Sequence, residues 1–429
     1  MPLHPREKHD HATLKFPDGF LWGTATSAHQ VEGGNIHSDW WEWEQTKPPS
    51  LRSGKACDQY HLYEEDFDLA KSLNQNAHRL SIEWSRIEPV MGEYDYHAIE
   101  HYKGVLKALK DRHFQVMLTL WHFTLPKWVA DLGGWENSKT VEYFLRFVKK
   151  IVPQIGEYVD FWITLNEPSV YVYQSYTVGE WPPQKKSKWA SIKVTWNLAQ
   201  AHKKAYRLLH QLTRGKPVGF SQNIQSFETP HKHSFLEQFS VIISDILENH
   251  SFYFLTKKSN DFLGINYYFH HRFNHLTLED ISEVTKLSVD TTHDVSDLGW
   301  EIYPEGMFDV LTDFADGLPT YITECGIAST NDDRRVRFLV HYLQEVYRAI
   351  KTGADVKGFF YWSLIDNFEW HHGFEPRFGL VEVDYQTQKR IIRPSAKVYA
   401  EIIEHNGIPH KLMKFIGHRV SAEEVLEQK

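Results

Sequence analysis

Phe161-Trp162-Ile163-Thr164-Leu165-Asn166-Glu167-Pro168 begins almost wholly apolar and ends in an amide, a carboxyl and a proline. An apolar run without alternation is what a parallel strand covered on both faces requires. Glu167 then falls at the carboxyl end of that strand. Pro168, favoured in a first helical turn, marks where the chain leaves it. A second run, Tyr321-Ile322-Thr323-Glu324, ends in the same way. The interval between the two glutamates has room for roughly three strand–helix units. Two carboxyls on the tips of different strands of one barrel can face each other across its mouth.

The same pattern recurs along the chain. Short apolar or aromatic runs occupy Phe20–Thr24, Ala77–Ile82, Gln115–Leu120, Phe161–Leu165, Pro217–Ser221, Phe262–Asn266, Thr320–Thr323 and Gly358–Trp362. Amphipathic helical spacing lies between them. Tyr63, Phe67 and Ala70 share one face, as do Ile99, Tyr102, Leu106 and Leu109. Val141, Leu145, Val148 and Ile151 repeat the spacing, and so do Val336, Leu339, Leu343, Val346 and Ile350. This rhythm predicts an α/β fold, a single (β/α)8 barrel with extended βα loops. A doubly wound open sheet is the alternative, but no glycine-rich phosphate turn follows the first strand. Residues 1–15 read as a loose tail, 16–406 as the catalytic domain and 407–429 as an extension. A short terminal helix packed outside the barrel is expected in that extension.

Composition narrows the function. A formal charge of −9 over 429 residues argues against a nucleic-acid partner, which calls for a basic face. His4, His9 and His11 cluster in a polar terminus, where fraying explains them better than a metal does. Cys57 and Cys325 are the only cysteines, so no disulfide framework is indicated. The first residues lack the apolar core of a signal peptide. No apolar run approaches membrane-spanning length. A cytoplasmic protein without a membrane partner is the expectation, and assembly into a homo-oligomer is left open. The 15 Trp, 21 Tyr and 26 Phe form a large aromatic complement. Most belong in a core, and some are candidates for stacking on sugar rings.

Barrel enzymes gather their active residues at the carboxyl ends of strands. Here those ends carry Arg79, His122, Asn166-Glu167, Asn266 followed by Tyr267 and Tyr268, Glu324, and Trp362. Singly, each has an ordinary structural explanation: a helix start for Glu167, a bonded core histidine for His122, an ion-pair partner for Arg79. Together on one rim they are hard to explain that way, because unpaired buried polar groups are costly. Paired carboxyls are what glycosidic-bond cleavage needs, one as proton donor and one as nucleophile or base. Trp362 and Trp370 bracket Glu369, which combines flat apolar walls with a hydroxyl acceptor, as a sugar pocket requires.

The chain resembles the family 1 glycoside hydrolases, retaining β-glucosidases and β-galactosidases built on this barrel. The matching stretches run from Phe16-Pro17-Asp18-Gly19-Phe20-Leu21-Trp22-Gly23 to Arg393-Pro394-Ser395. The resemblance implies Glu167 as acid/base and Glu324 as nucleophile. It implies that Gln30, His122, Asn166, Glu369 and Trp370 hold the hydroxyls of the non-reducing sugar. Trp362 would be the platform beneath that sugar and Phe378 would flank its exocyclic group. Arg79, Asn266 and Tyr268 match the shell around the nucleophile. Small β-glucosides and oligosaccharides are the implied substrates, and neither a cofactor nor a metal is implied. Two departures stand out: Cys325 follows the nucleophile where asparagine is usual, and Phe123 follows His122 where tryptophan is common. Cys325 reads as a small packing residue or a redox-sensitive neighbour of the nucleophile. An endo-acting glycanase and a catalytically silent sugar-binding barrel are the competing readings. A histidine-based metal enzyme is a third, for which no helix shows a ligand-spaced pair near the rim.

Overall fold

The computed structural model describes residues 13–229, 234–272, 294–314 and 317–416. The eight runs form the strands β1 (Leu21–Ala25), β2 (Ala77–Ser81), β3 (Gln115–Thr119), β4 (Phe161–Asn166), β5 (Val218–Asn223), β6 (Leu263–Asn266), β7 (Thr320–Cys325) and β8 (Val356–Trp362). All pair in parallel with their neighbours in chain order, and β8 returns to β1 through Gly358↔Leu21 and Trp362↔Ala25. The barrel is closed, so no strand edge is left unpaired.

Longer helices cover the outside: α1 (Gln59–Ser72), α2 (Tyr96–Asp111), α3 (Thr140–Ile155), α4 (Lys188–Leu212), α5 (Phe235–Ser244), α6 (Asp332–Lys351) and α7 (Pro394–Glu404). The starts of α2, α4, α5 and α6 are capped by short polar side chains. Asp95 accepts from the backbone N–H groups of His97 and Ala98, and Ser187 accepts from that of Ala190. α3 buries Val141, Phe144, Val148, Ile151 and Ile155 on the face toward the strands. Between helices and strands lies the main apolar core. A second, smaller cluster fills the barrel itself, with Ala77, Met117, Ile163, Phe262, Tyr321 and Phe360 below Trp362. The barrel is thus plugged from below and open only above. At its upper end β7 and β8 press together after Glu324: a Cβ on Gly326 would sit 1.8 Å from the Trp362 carbonyl oxygen. Only glycine allows that approach.

The chain ends differ from the sequence expectation. Thr13–Lys15, assigned to a loose tail, pairs antiparallel with Gly407–Pro409, the start of the expected extension. Asn406 fastens the junction: its Oδ1 accepts 2.8 Å from Trp22 Nε1 and its Nδ2 donates 3.0 Å to the Phe16 carbonyl. After the strand comes a 3-10 helix, His410–Phe415, which buries Leu412 and Met413. Backbone pairing and those two apolar anchors, invisible to a search for helical periodicity, hold this segment. Glu423, Glu424, Glu427 and the His4, His9, His11 cluster lie outside the described residues. Among the described residues no helix is long and apolar enough to cross a membrane.

Candidate active site

The carboxyl ends of the strands surround a cavity of about 1170 Å³. Gln30, His122, Asn166, Glu167, Tyr268, Glu324, Trp362, Glu369, Trp370 and Phe378 all line it. Arg79 and Asn266 are fully buried just behind them. The twelve side chains marked in the sequence therefore converge on one place.

Glu167 caps β4 in a left-handed conformation, φ 41° and ψ 58°. That conformation is uncommon for a residue with a Cβ and is tolerated where the surroundings fix it. The backbone N–H of Glu167 donates 2.8 Å to the Ser221 carbonyl on β5. The Glu167 carboxyl accepts from Asn266 Nδ2 at 2.7 Å and from Asn223 Nδ2 at 3.5 Å. No cation touches it among the described residues. Burial, then the nearby Glu324 charge, raise its pKa to about 8.

Glu324 stands opposite Asn266 in the β6–β7 register. One of its carboxyl oxygens pairs with Arg79 Nη1, and the other accepts from the Tyr268 hydroxyl at 2.9 Å. Burial leaves its pKa raised, though Arg79 and the Tyr268 hydrogen bond oppose the rise. Of the two carboxyls, the one clasped by a guanidinium ionises first. Arg79 is itself oriented on both sides. It donates 3.1 Å to the Thr323 carbonyl and 2.6 Å to Asn166 Oδ1.

One wall carries a second polar group. Gln30 Nε2 donates 2.8 Å to the Phe368 carbonyl and 3.3 Å to Glu369. Trp362 Nε1 donates 3.2 Å to the other Glu369 oxygen. Burial, opposed by these bonds and reinforced by the Glu324 charge, puts the Glu369 pKa at about 8. His122 accepts at Nε2 from Asn166 Nδ2, 3.1 Å away, leaving Nδ1 a buried polar atom without a partner among the described residues. Burial and the Arg79 charge hold its ring neutral. Trp370 is wedged among Trp40, Trp181 and Phe123, with ring centroids 4.6, 5.7 and 5.3 Å away, and lies flat on His29 at 5.7 Å. Phe378 faces Trp300 and Tyr268.

Asn223, Trp181 and Trp300 are among the lining residues that escaped the sequence reading. Asn223 lies at the tip of β5, where Gln222-Asn223 reads as loop because both residues are polar. In the structure the strand continues and Asn223 pairs with Asn266. Trp181 and Trp300 belong to loops without periodicity, where no spacing marks an aromatic as a wall rather than core. Cys325, by contrast, is wholly buried in the outer core beside Ile327 and Tyr361. Alternation along β7 turns it away from the cavity that Glu324 faces. The packing explanation fits this placement. Among the described residues one metal-like trio, Asp245, His250 and Asp313, occurs, and it does not line the cavity.

A barrel whose mouth holds two buried carboxyls in unequal electrostatic company, over a cage of rings, defines the glycosidase class. Comparison with known proteins gives the family: the chain belongs to glycosyl hydrolase family 1, whose model matches residues 12–256 and 243–408. It is 30% identical to a 1,4-beta-D-glucan glucohydrolase of Thermotoga neapolitana, over 92% of this chain and 99% of that one. It is 32% identical to a beta-galactosidase of Sulfolobus acidocaldarius, over 93% and 97%. Among solved structures, a beta-glycosidase from Pyrococcus horikoshii superposes with a TM-score of 0.89 at 38% identity, covering 96% of this chain and all of the other. A beta-glucosidase from Thermotoga maritima in complex with glucoimidazole gives 0.83 at 27% identity, over 92% and 100%.

Proposed function

We propose that the chain is an exo-acting retaining β-glycosidase in which Glu324 is the nucleophile and Glu167 the acid/base. The observation that carries this reading is the unequal company of the two carboxyls. Arg79 and Tyr268 keep Glu324 ready to attack the anomeric carbon as an anion. Burial and the facing charge keep a proton on Glu167 at neutral pH. As the Glu324–carbon bond forms, the bond to the leaving oxygen breaks and Glu167 delivers its proton there. Esterification removes the charge on Glu324, so the Glu167 pKa falls and its carboxylate can take a proton from water. That water attacks the anomeric carbon, the glycosyl–Glu324 bond breaks, and the configuration is retained after two inversions. Asn223 and Asn266 hold the Glu167 carboxyl at one oxygen through both halves.

The glycone site is assigned to Gln30, His122, Asn166, Glu369 and Trp370 for hydroxyls, Trp362 as platform and Phe378 beside the exocyclic carbon. Glu369 and Trp370 favour a neutral sugar. Terminal β-D-glucosyl residues are the substrate, with galactosides and fucosides tolerated, in line with the β-glucosidase and β-galactosidase names of relatives. The chemistry needs no cofactor. Two buried free cysteines favour a reducing, cytoplasmic setting.

A panel of nitrophenyl glycosides with NMR of the first-formed product tests the assignment. β-Glucoside turnover giving the β-anomer is expected, and Glu324→Gly removes it. An α-anomer product, or wild-type turnover by the Glu324→Gly variant, refutes it.

A further inference from the structure

On the outside of the barrel, the helix that follows β5 reverses the usual rule of inside and outside. α5 turns Glu237 and Ser240 toward the protein and presents Phe235, Leu236, Phe239 and Ile242 to solvent. Phe235 is 79% exposed and Leu236 67%. Polar bonds secure this segment. Thr229 donates its hydroxyl to Glu237, and Gln225 and Asn249 exchange bonds of 2.9 and 2.8 Å just beyond the helix. A helix that hides its polar face and shows phenylalanine to water forfeits the burial that normally stabilises it. Contiguous exposed apolar surface of this kind marks an interaction site.

A second exposed stripe lies on the neighbouring unit. In α4, Trp189, Ile192 and Trp196 are 83%, 62% and 54% exposed and fall on one helical face at spacings of three and four. Lys188 and Lys193 flank them, exposed and without an ion pair among the described residues. From Lys185 to Lys216 the chain contains Lys, Arg and His but no Asp or Glu, although the whole chain carries −9. The helices follow adjacent strands, β4 and β5, so both begin at the carboxyl-end rim where the cavity opens. Lys186, beside the α4 cap, lines the cavity.

We propose that this rim is a peripheral docking surface for an anionic lipid membrane, seating the cavity mouth against the headgroup layer. Tryptophan and lysine side by side suit the membrane interface, the indoles entering the headgroup layer and the ammonium groups meeting lipid phosphates. Apolar area on α5 supplies insertion, and the acid-free stretch supplies attraction. The remainder of this acidic protein is repelled by the same surface, so the basic side faces it. A second copy of the chain fits less well, because a two-fold contact on this face sets Lys188 and Lys193 near their own equivalents. The expectation of no membrane partner rested on the lack of a spanning segment, and surface docking needs none. Docking is independent of the catalytic assignment.

Vesicle flotation of the full chain tests it, using phosphatidylcholine alone and with about one third phosphatidylglycerol. Wild type is expected to float with the anionic vesicles and to be released by salt. Lys188→Glu/Lys193→Glu weakens partitioning by about fivefold per lysine or more. Trp189→Ser/Phe239→Ser weakens it on anionic vesicles as well. Aryl β-glucoside hydrolysis in solution, unchanged in both variants, certifies their folding; a variant that loses it is replaced by the single substitutions Lys193→Gln and Trp189→Ser. No flotation on anionic vesicles, or equal flotation of wild type and variants, overturns the proposal. So does a dimer in light scattering that these substitutions dissociate, which would make a second copy the occupant.

Discussion

Replacing Glu324 by glutamine removes one negative charge and leaves the shape of the site. Glu167 then loses the like charge that, after burial, does most to raise its pKa to about 8. At the roughly 5 Å carboxyl separation of a retaining enzyme and an effective dielectric of about 20, that repulsion is about 3 kcal/mol. It corresponds to roughly 2 pKa units. Arg79, freed from Glu324, still bonds Asn166 and lowers the Glu167 pKa further. The Glu167 carboxyl of Glu324→Gln should therefore titrate near pH 6, by about the shift just derived. Carbon-13 NMR of carboxyl-labelled glutamate, with Glu167→Gln to assign the signal, measures it directly. In the proposed mechanism the same fall accompanies esterification of Glu324 and turns Glu167 from proton donor into base. If Glu167 titrates near 8 both with and without the Glu324 charge, the two carboxyls do not share a field and the division of labour between them collapses.

Glu369 is also held protonated to about pH 8, above its unfolded value of 4.5. The folded state binds the extra proton between these values, so stability is highest below the unfolded pKa and falls as pH rises through the folded one. Melting temperature of the ligand-free protein should drop from pH 5 to 8.5, and Glu369→Gln should flatten that drop, gaining about 1–3 kcal/mol at the alkaline end while kcat/KM falls. Glu167→Ala should cost about 10²–10⁴-fold on alkyl glucosides and far less on dinitrophenyl glucoside, whose leaving group needs no proton; steady-state kinetics across leaving groups will tell. Ending the chain after Asn406 removes the partner of Thr13–Lys15 and the anchors Leu412 and Met413, and should lower the melting temperature by several degrees in calorimetry.

The barrel was legible because its strands are buried on both faces and several are therefore apolar on consecutive positions, as in Phe161–Leu165 and Phe359–Trp362. The carboxyl pair proposed as catalytic was legible because each glutamate ends such a run abruptly. Legibility failed where the physical cause is not local. Asn223 extends a strand only because Asn266 stands beside it, and a polar pair alone does not announce that. Trp181 and Trp300 become walls through the folding of loops that have no period. Thr13–Lys15 is too short to signal a strand and is one only because Gly407–Pro409 returns to meet it. α5 defeats pattern reading most directly, since its period is helical and its polarity is inside out.

The seam of the barrel joins the first strand made to the last. β1 ends at Ala25, and its partner β8 begins about 330 residues later in the chain. Until then the nascent chain carries Leu21–Ala25 with one edge open, and Trp362, Glu369 and Trp370 do not exist to meet Gln30. Hydrolytic competence therefore waits on the closing of this seam, and the early edge is the segment most in need of protection until then.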